Sequence, residues 1–359
     1  MNISIKKDFP SQNVHLKKRD SGEGRDFLLR PYQYGDEKGI IDCIRSEYGD
    51  SYFKRDFYIP EKIREMAMGS KYVFFVAESE GRIMGVEVFV LFSEWENYIE
   101  PATQILREEC RRYGLADAMV KYTFPLAEQM EPFCLFVHAV TFHDITQKVC
   151  GRQGMVPAGF RLGSFLTEKM SNSYLLGRCE KYSEGIMILP VGKQNAGKVY
   201  FPEELQGFAK KIYGKLGVTY RFMDSGDGTG TCSFMAPVRE NAELYAVTDN
   251  MQRMILVSIR RSGKDLCSQI RQLLNGHDER LWTVQVTISA DTPISLWEYA
   301  QLKEMGFFFT GMKPVCGIRE QYYMQWVGDT ELYMEDYILT ENFLEIRDDI
   351  QKFFDNRKR

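Results

Sequence analysis

Arg111-Arg112-Tyr113-Gly114-Leu115-Ala116 is the stretch whose residue types and spacing could do chemistry. It follows an apolar segment, residues 103–106, that reads as a strand, and it opens a segment, residues 115–130, that reads as a helix. A turn of this kind points several main-chain N–H groups and a helix N-terminus at one spot, which is how proteins hold a phosphate. Gly114 lets the backbone approach an anion closely, Ala116 leaves the helix start unobstructed, and Arg111 and Arg112 add positive charge. Arg/Gly turns are common on surfaces, so the weight of the motif comes from the elements around it.

Those elements alternate in type. Residues 27–31 read as a short strand ended by Pro31, and residues 39–48 as a helix carrying Ile40, Ile41 and Ile44. Residues 60–68 read as a second helix with Pro60 at its start. Residues 72–78 and 83–92 form a hairpin across the turn Glu80-Gly81-Arg82. After the arginine-glycine turn and its long helix come a strand over 133–141, a helix over 144–153, a strand over 156–165 and a last strand over 185–189. That order predicts a mixed α/β layer structure rather than a doubly wound parallel sheet.

With the turn in that place, residues 27–191 resemble the GCN5-related N-acetyltransferase (GNAT) superfamily. The family's acetyl-CoA motif is Arg/Gln-x-x-Gly-x-Gly/Ala, and Arg111, Gly114 and Ala116 match it. A second family pattern, Asn-x-x-Ala-x-x-x-Tyr-x-x-x-Gly-Phe, finds only its frame here. Its Asn position holds His143, its Ala position Thr146, its Tyr position Cys150 and its Gly-Phe pair Gly154-Met155. His143, Gln147 and Lys148 are similar to a subgroup with His at the first position and Gln-Lys in the helix.

The resemblance implies an acetyl-CoA (acyl-CoA)-dependent N-acyltransferase. Arg111, Arg112, Tyr113, Gly114, Leu115 and Ala116 would take the pyrophosphate of CoA, with His143 a further candidate contact. Ile105 and Leu106 lie on the strand that would pair with the pantetheine arm, a main-chain N–H of which would polarise the thioester carbonyl. Glu108 and Glu109, close to the turn, and Glu100, before the strand, are candidate general bases whose alternative role is that of surface glutamates in a charged loop, and Glu87 is a possible acceptor-side group. Cys150, where the family often has tyrosine, is the candidate general acid; its alternative role is a small buried filler. The acceptor would be an amine on a small molecule or peptide. The alternative is a catalytically degenerate module of this fold that binds acyl-CoA or regulates.

The downstream half repeats the pattern. Residues 254–259 read as a strand, 260–265 as a turn, 266–274 as a helix, 281–288 as a strand, 295–304 as a helix and 308–312 as a strand. Gly114 and Gly154 are 40 residues apart, and Gly263 and Gly306 are 43 apart. The predicted organisation is a polar arm over 1–26, a first domain over 27–191 and a degenerate second domain over 192–359. Asp265 stands where the motif needs Gly or Ala, so a carboxylate would repel a diphosphate and compete for the same N–H groups as a helix N-cap. The second half is therefore expected not to bind CoA and to wall the acceptor cleft. Residues 331–337 read as strand-like, and residues 341–354 as a helix whose Phe343, Ile346, Ile350, Phe353 and Phe354 share one core-facing side.

Other motifs carry less. Gly192–Lys198 matches the first seven positions of a P-loop, but Val199 replaces the Ser/Thr that ligates magnesium and Pro202 follows at once, so a linker is expected. Gly226, Gly228 and Gly230 read as a hairpin loop. The four histidines form no metal-ligand cluster. A net charge of −4 and a pI near 5.8 argue against a general nucleic-acid binder. No run approaches the roughly 18 apolar residues of a membrane span. Eight cysteines without a CxxC pair, and no secretory leader, fit reduced thiols in the cytoplasm.

Overall fold

The computed structural model describes residues 8–92, 97–169, 179–192, 197–223, 236–276, 280–314 and 319–357. The fold is mixed α/β, as expected, and the chain packs as two compact units. The first comprises residues 1–137, 148–155 and 169–175, and the second residues 138–147, 156–168 and 176–359.

The first unit begins with β1 (Gln12–Lys17) and β2 (Gly24–Pro31), an antiparallel hairpin. Residues 12–17, expected within a polar arm, thus form a paired strand. Val14 and Leu16 give β1 a weak alternation, and its full register with β2 supplies the main-chain bonds that composition does not show. Phe9 is also buried, its ring 5.7 Å from Phe75. Helices α1 (Glu37–Tyr48) and α2 (Pro60–Met68) follow, then β3 (Tyr72–Ser79), β4 (Arg82–Phe92) and β5 (Tyr98–Leu106). The strands run in the order β1-β2-β3-β4-β5. Ile40, Ile44 and Ile63, fully buried, cover one face against Phe74, Val76, Val86 and Val88. Helix α3 (Leu115–Glu128) then leads to β6 (Cys134–Val140), which starts in the first unit and ends in the second. Helix α4 (Ile145–Arg152) runs back into the first.

The second unit holds β7 (Val156–Leu166) and β8 (Lys181–Pro190), β9 (Lys198–Val199), α5 (Glu203–Lys215) and β10 (Arg221–Phe222). Its remaining elements are β11 (Glu243–Asp249), β12 (Met254–Arg261), α6 (Leu266–Asn275), β13 (Thr283–Ser289), α7 (Ile294–Glu304), β14 (Phe308–Pro314), β15 (Glu320–Trp326) and α8 (Glu341–Asp355). Its strands run β8-β7-β14-β15-β13-β12-β11. β7 and β8, expected in the first domain, pack here because β7 meets β14 at Gly159 and Gly311.

Matching glycines flank that meeting point on the two strands. Gly154 and Gly306, each at positive φ, open β7 and β14, and Gly159 and Gly311 follow five residues later with φ of 151° and 148°. Each of the second pair sits at an irregularity of its strand. The two glycines lie directly against each other, where no side chain fits. Helix α8 docks its stripe as expected: Phe343 packs on Phe160 at 5.5 Å and Phe353 on Phe309 at 5.2 Å. Residues 331–337 form no strand; they hold a short 3-10 turn, Met334–Asp336, and Tyr337 is anchored through its hydroxyl to Ser183 at 2.5 Å. The P-loop-like stretch lies partly outside the described residues, and Lys198-Val199 enters β9 rather than a helix. The Gly226–Gly230 stretch lies wholly outside them. Among the described residues no helix is long and apolar enough to cross a membrane.

Candidate active site

β5 and β6 set the frame. β5 pairs antiparallel with β4, with an irregularity opposite Val88 and Phe89. On its other side it pairs parallel with β6 at two positions only, Tyr98 with Cys134 and Ile99 with Leu135. Pro101 has no N–H to give the ladder, and a bulge bends the strand it sits in. The strands therefore part, and the edge of β5 from Pro101 to Leu106 is left without a β6 partner. Ile105 buries its side chain with α1 and α2, and its carbonyl accepts the Cys43 thiol at 3.7 Å. Leu106 pairs with Gly85 of β4.

The arginine-glycine turn follows immediately. Arg112 has φ of 70°, unusual for a residue with a side chain, and Gly114 has φ of 79° as the residue before α3. Tyr113 and Leu115 bury their side chains, which pins the turn to the core and leaves its main chain facing out. Among the described residues the N–H groups of Tyr113, Gly114, Leu115, Ala116 and Asp117 meet no acceptor, and no side chain caps the helix. Four of these are the orphans of any helix start. What distinguishes this one is the pair of left-handed residues that gathers them, and the open space beyond: a Cβ added to Gly114 would find nothing within 4 Å. A diphosphate fits such a cradle.

The arginines behave otherwise than expected. Arg111 is held by Glu47, with Glu108 at 3.8 Å, and Arg112 by Asp20 at 2.6 Å. Both guanidiniums brace the turn instead of standing free over it. The β1–β2 hairpin shares that work. The Arg19 N–H donates to the Arg112 carbonyl at 3.1 Å, and the Lys18 ammonium lies 5.8 Å from the Tyr113 ring centre. Burial and a hydrogen bond with Glu23 push the Tyr113 hydroxyl up from its usual range.

The second copy provides an internal control. Its corresponding turn is filled by the protein itself: the N–H groups of Lys264 and Asp265 donate to the carbonyls of Arg239 and Glu240 at 3.0 and 3.1 Å. A Cβ on Gly263 would lie 2.2 Å from the Ala242 nitrogen. The sequence predicts Asp265 as the cap of its own helix, but its side chain makes no cap hydrogen bond. Its carboxylate instead accepts the Ala242 N–H at 2.6 Å and the Gln269 amide at 2.9 Å, which hold its pKa below the usual range. β12 and β13 also stay paired over five positions, Met254 to Ser258.

The predicted catalytic residues separate. Glu108 is mostly exposed and faces Arg111, and Glu109 pairs with Arg82 at 3.3 Å. Neither is brought to the open edge of β5, because both belong to the short 3-10 turn Glu108–Cys110. Cys150 is fully buried on α4, and desolvation, with the Glu87 charge beside it, pushes its thiol far above the ordinary range. His143 falls in the second unit, its ring edge-on to Phe142 at 5.2 Å. Gln147 is structural: its amide donates to Val140, His143 and Ile338 carbonyls at 3.1, 3.3 and 3.0 Å.

A buried polar cluster beneath the turn was not singled out from sequence as a unit. Glu87 of β4 is sealed from solvent, accepts a hydrogen bond from Thr123 of α3 at 3.1 Å, and is also hydrogen-bonded by its cross-strand neighbour Gln104. Burial pushes its carboxyl up to about 8. Gln104 also donates to the Ala116 carbonyl at 3.3 Å, and Arg152 of α4 bonds Asp117 of α3 at 2.8 Å. The cluster is thus tied to the first turn of α3 from two sides. Glu87 stands out in sequence as the one carboxylate in the run Met84–Leu91, but its partners on β5 and α3 do not. On the opposite face Thr103 meets the Tyr52 hydroxyl and the Lys54 ammonium, both at 3.0 Å.

No protein-family model matches the chain, and no curated protein matches it. Solved structures do. The ribosomal-protein-S18-alanine N-acetyltransferase of Escherichia coli is 12% identical, with 47% of this chain and 96% of that chain covered at a TM-score of 0.38. An N-acetyltransferase of Staphylococcus aureus Mu50 is 15% identical, with 46% and 99% covered at a TM-score of 0.37. The ribosomal-protein-S5-alanine acetyltransferase of Vibrio fischeri is 12% identical, with 46% and 92% covered at a TM-score of 0.38.

Proposed function

We propose that the chain is an acyl-CoA-dependent N-acyltransferase of GNAT type, with its CoA site in the first unit. One observation carries this reading: five successive main-chain N–H groups without acceptors stand where β5 leaves β6. The N–H groups of residues 113–117 would hold the diphosphate, and the free edge of β5 would take the pantetheine amides by extending the sheet. CoA supplies the activated acyl group as a thioester. The protein's own contribution is to fix that group and to exclude water behind Tyr113, Leu115 and Ile105. The acceptor is an amine on a small molecule or peptide. The second copy, filled by residues 239–242, takes no CoA in this reading.

A second reading is kept because Glu108 and Glu109 are engaged with arginines and Cys150 is buried. In it the chain binds acyl-CoA without turning it over. Thermal shift with CoA and acetyl-CoA tests the site: the wild type should gain melting temperature by mass action and Gly114→Glu should not. If neither protein responds, both readings fail. If the wild type responds, thiol release from acetyl-CoA across a panel of amines separates enzyme from binding module.

A further inference from the structure

We propose that the tip of the β1–β2 hairpin, through Lys18 and Arg19, supplies the cationic contact for the phosphates of CoA that Arg111 and Arg112 do not supply. This rests on the CoA site of the acyltransferase reading and adds two binding residues from outside its motif. The arginines of the turn are already engaged, Arg111 by Glu47 and Arg112 by Asp20. Left to its own motif, the turn offers main-chain N–H groups and little net charge. CoA carries a diphosphate and a 3′-phosphate, and a charge-assisted hydrogen bond to such a group is roughly twice as strong as a neutral one.

The hairpin tip is fixed against the turn. It is closed by the Lys18 N–H donating to the Glu23 carbonyl at 2.8 Å and the Gly22 N–H to the Lys18 carbonyl at 2.9 Å, with Gly22 at a φ of 71°. The Arg19 N–H then donates to the Arg112 carbonyl at 3.1 Å, and the Asp20 carboxylate holds the Arg112 guanidinium at 2.6 Å. Tyr113 meets two parts of the hairpin. Phe27 of β2 lies edge-on to its ring at 5.9 Å, and the Lys18 ammonium lies 5.8 Å from the ring centre. Lys18 and Arg19 are thereby placed beside Tyr113, whose N–H is the first of the five without acceptors.

The charges around the tip leave these two cations over. Asp20, which Lys18 also influences, is taken by Arg112. Glu47 and Glu108 face Arg111, and Glu23 accepts the Tyr113 hydroxyl. Among the described residues neither the Lys18 ammonium nor the Arg19 guanidinium forms an ion pair. Arg19 is exposed and anchored through its main chain, so its side chain stays available to a ligand. Lys18 is half-buried and meets a ring rather than a carboxylate. The surplus of positive charge at the turn therefore sits on the hairpin and not on the motif.

Calorimetric titration of the full chain with CoA and with 3′-dephospho-CoA tests this. Lys18→Ala and Arg19→Ala should each weaken CoA binding by about 10-fold, the lower end of what a hydrogen bond to a charged group is worth, and the double variant should lose more than either. Wild-type affinity should fall as salt is raised, and that of the double variant should fall less. Lys18→Arg keeps the charge and should bind CoA as the wild type does. Losses for CoA alone assign the contact to the 3′-phosphate, and equal losses for both ligands assign it to the diphosphate; either result supports the inference. If the double variant binds CoA as tightly as the wild type, or if Lys18→Arg binds as weakly as Lys18→Ala, the inference falls and the CoA site stands. A wild type that binds neither ligand overturns both.

Discussion

Replacing Gly159 by alanine should cost far more than the loss of one glycine suggests. The added Cβ would lie 2.4 Å from the Gly311 Cα and 2.4 Å from the Thr310 carbonyl, where ordinary contacts begin at 3.4 Å. The two backbones must therefore part by about 1 Å, and neither neighbour is a side chain that can swing away. Overpacking of this kind costs about 1–3 kcal/mol. A φ of 151° suits glycine alone and adds about 1–3 kcal/mol for any other residue. A total of about 4 kcal/mol should lower Tm by roughly 8–16 °C in a body of this size. Gly311→Ala should behave alike, because its Cβ meets the Gly159 Cα at 2.5 Å. The double variant should lose less than the sum, since both Cβ atoms open the same contact. Gly114→Ala is the control: its Cβ meets nothing, so only the left-handed backbone is penalised, by about 1–2 kcal/mol. Differential scanning calorimetry measures all four. If Gly159→Ala melts no lower than Gly114→Ala, β7 and β14 do not meet as described.

Asp265→Ala should leave CoA affinity unchanged while lowering Tm, because it frees the Ala242 N–H and not a ligand site; calorimetric titration and melting read the two separately. The Asp265 pKa is depressed in the fold, so its stabilisation is present above the unfolded value and disappears as pH falls through the folded one, and acid melting of this variant should converge with wild type. Lys181→Met should cost about 2–4 kcal/mol in urea unfolding, since the buried ammonium donates to the Arg253 and Leu281 carbonyls at 3.1 and 2.9 Å and both would lose it. Burial lowers the Lys181 pKa to about 7, so the unfolded chain binds the extra proton between there and 10.5, and wild-type stability should gain from this residue as pH rises through that window.

Sequence conveyed the fold where side chains encode it. Buried helix stripes such as Ile40, Ile41 and Ile44, and the turn glycines Gly114, Gly154 and Gly306, announce themselves by type and spacing. β1 and β11 were hidden because each is an edge strand, largely exposed, whose place depends on main-chain pairing with a neighbour. The fate of the arginines was hidden for a related reason. Glu47 is 64 positions from Arg111 and Asp20 is 92 from Arg112, and no local pattern reports a partner that far away. The filling of the second turn was the least legible feature, since its decisive acceptors are the carbonyls of Arg239 and Glu240, which any residue would supply.

Glu87 gives stability a pH dependence that one variant can expose. A carboxyl whose folded pKa lies near 8 against 4.5 unfolded favours the fold fully below 4.5 and withdraws that preference as pH rises through 8. Across that interval the group costs the wild type about 1.4 kcal/mol of stability per pH unit, a slope that Glu87→Gln abolishes. The glutamine keeps the shape and an acceptor for the Thr123 hydroxyl, so the variant should be the more stable protein at pH 8. A structural glutamate would show the reverse, losing stability on substitution. Urea unfolding at pH 5 and pH 8 decides between them, and a variant less stable than wild type at both would leave the burial of a carboxylic acid here without the cost assigned to it.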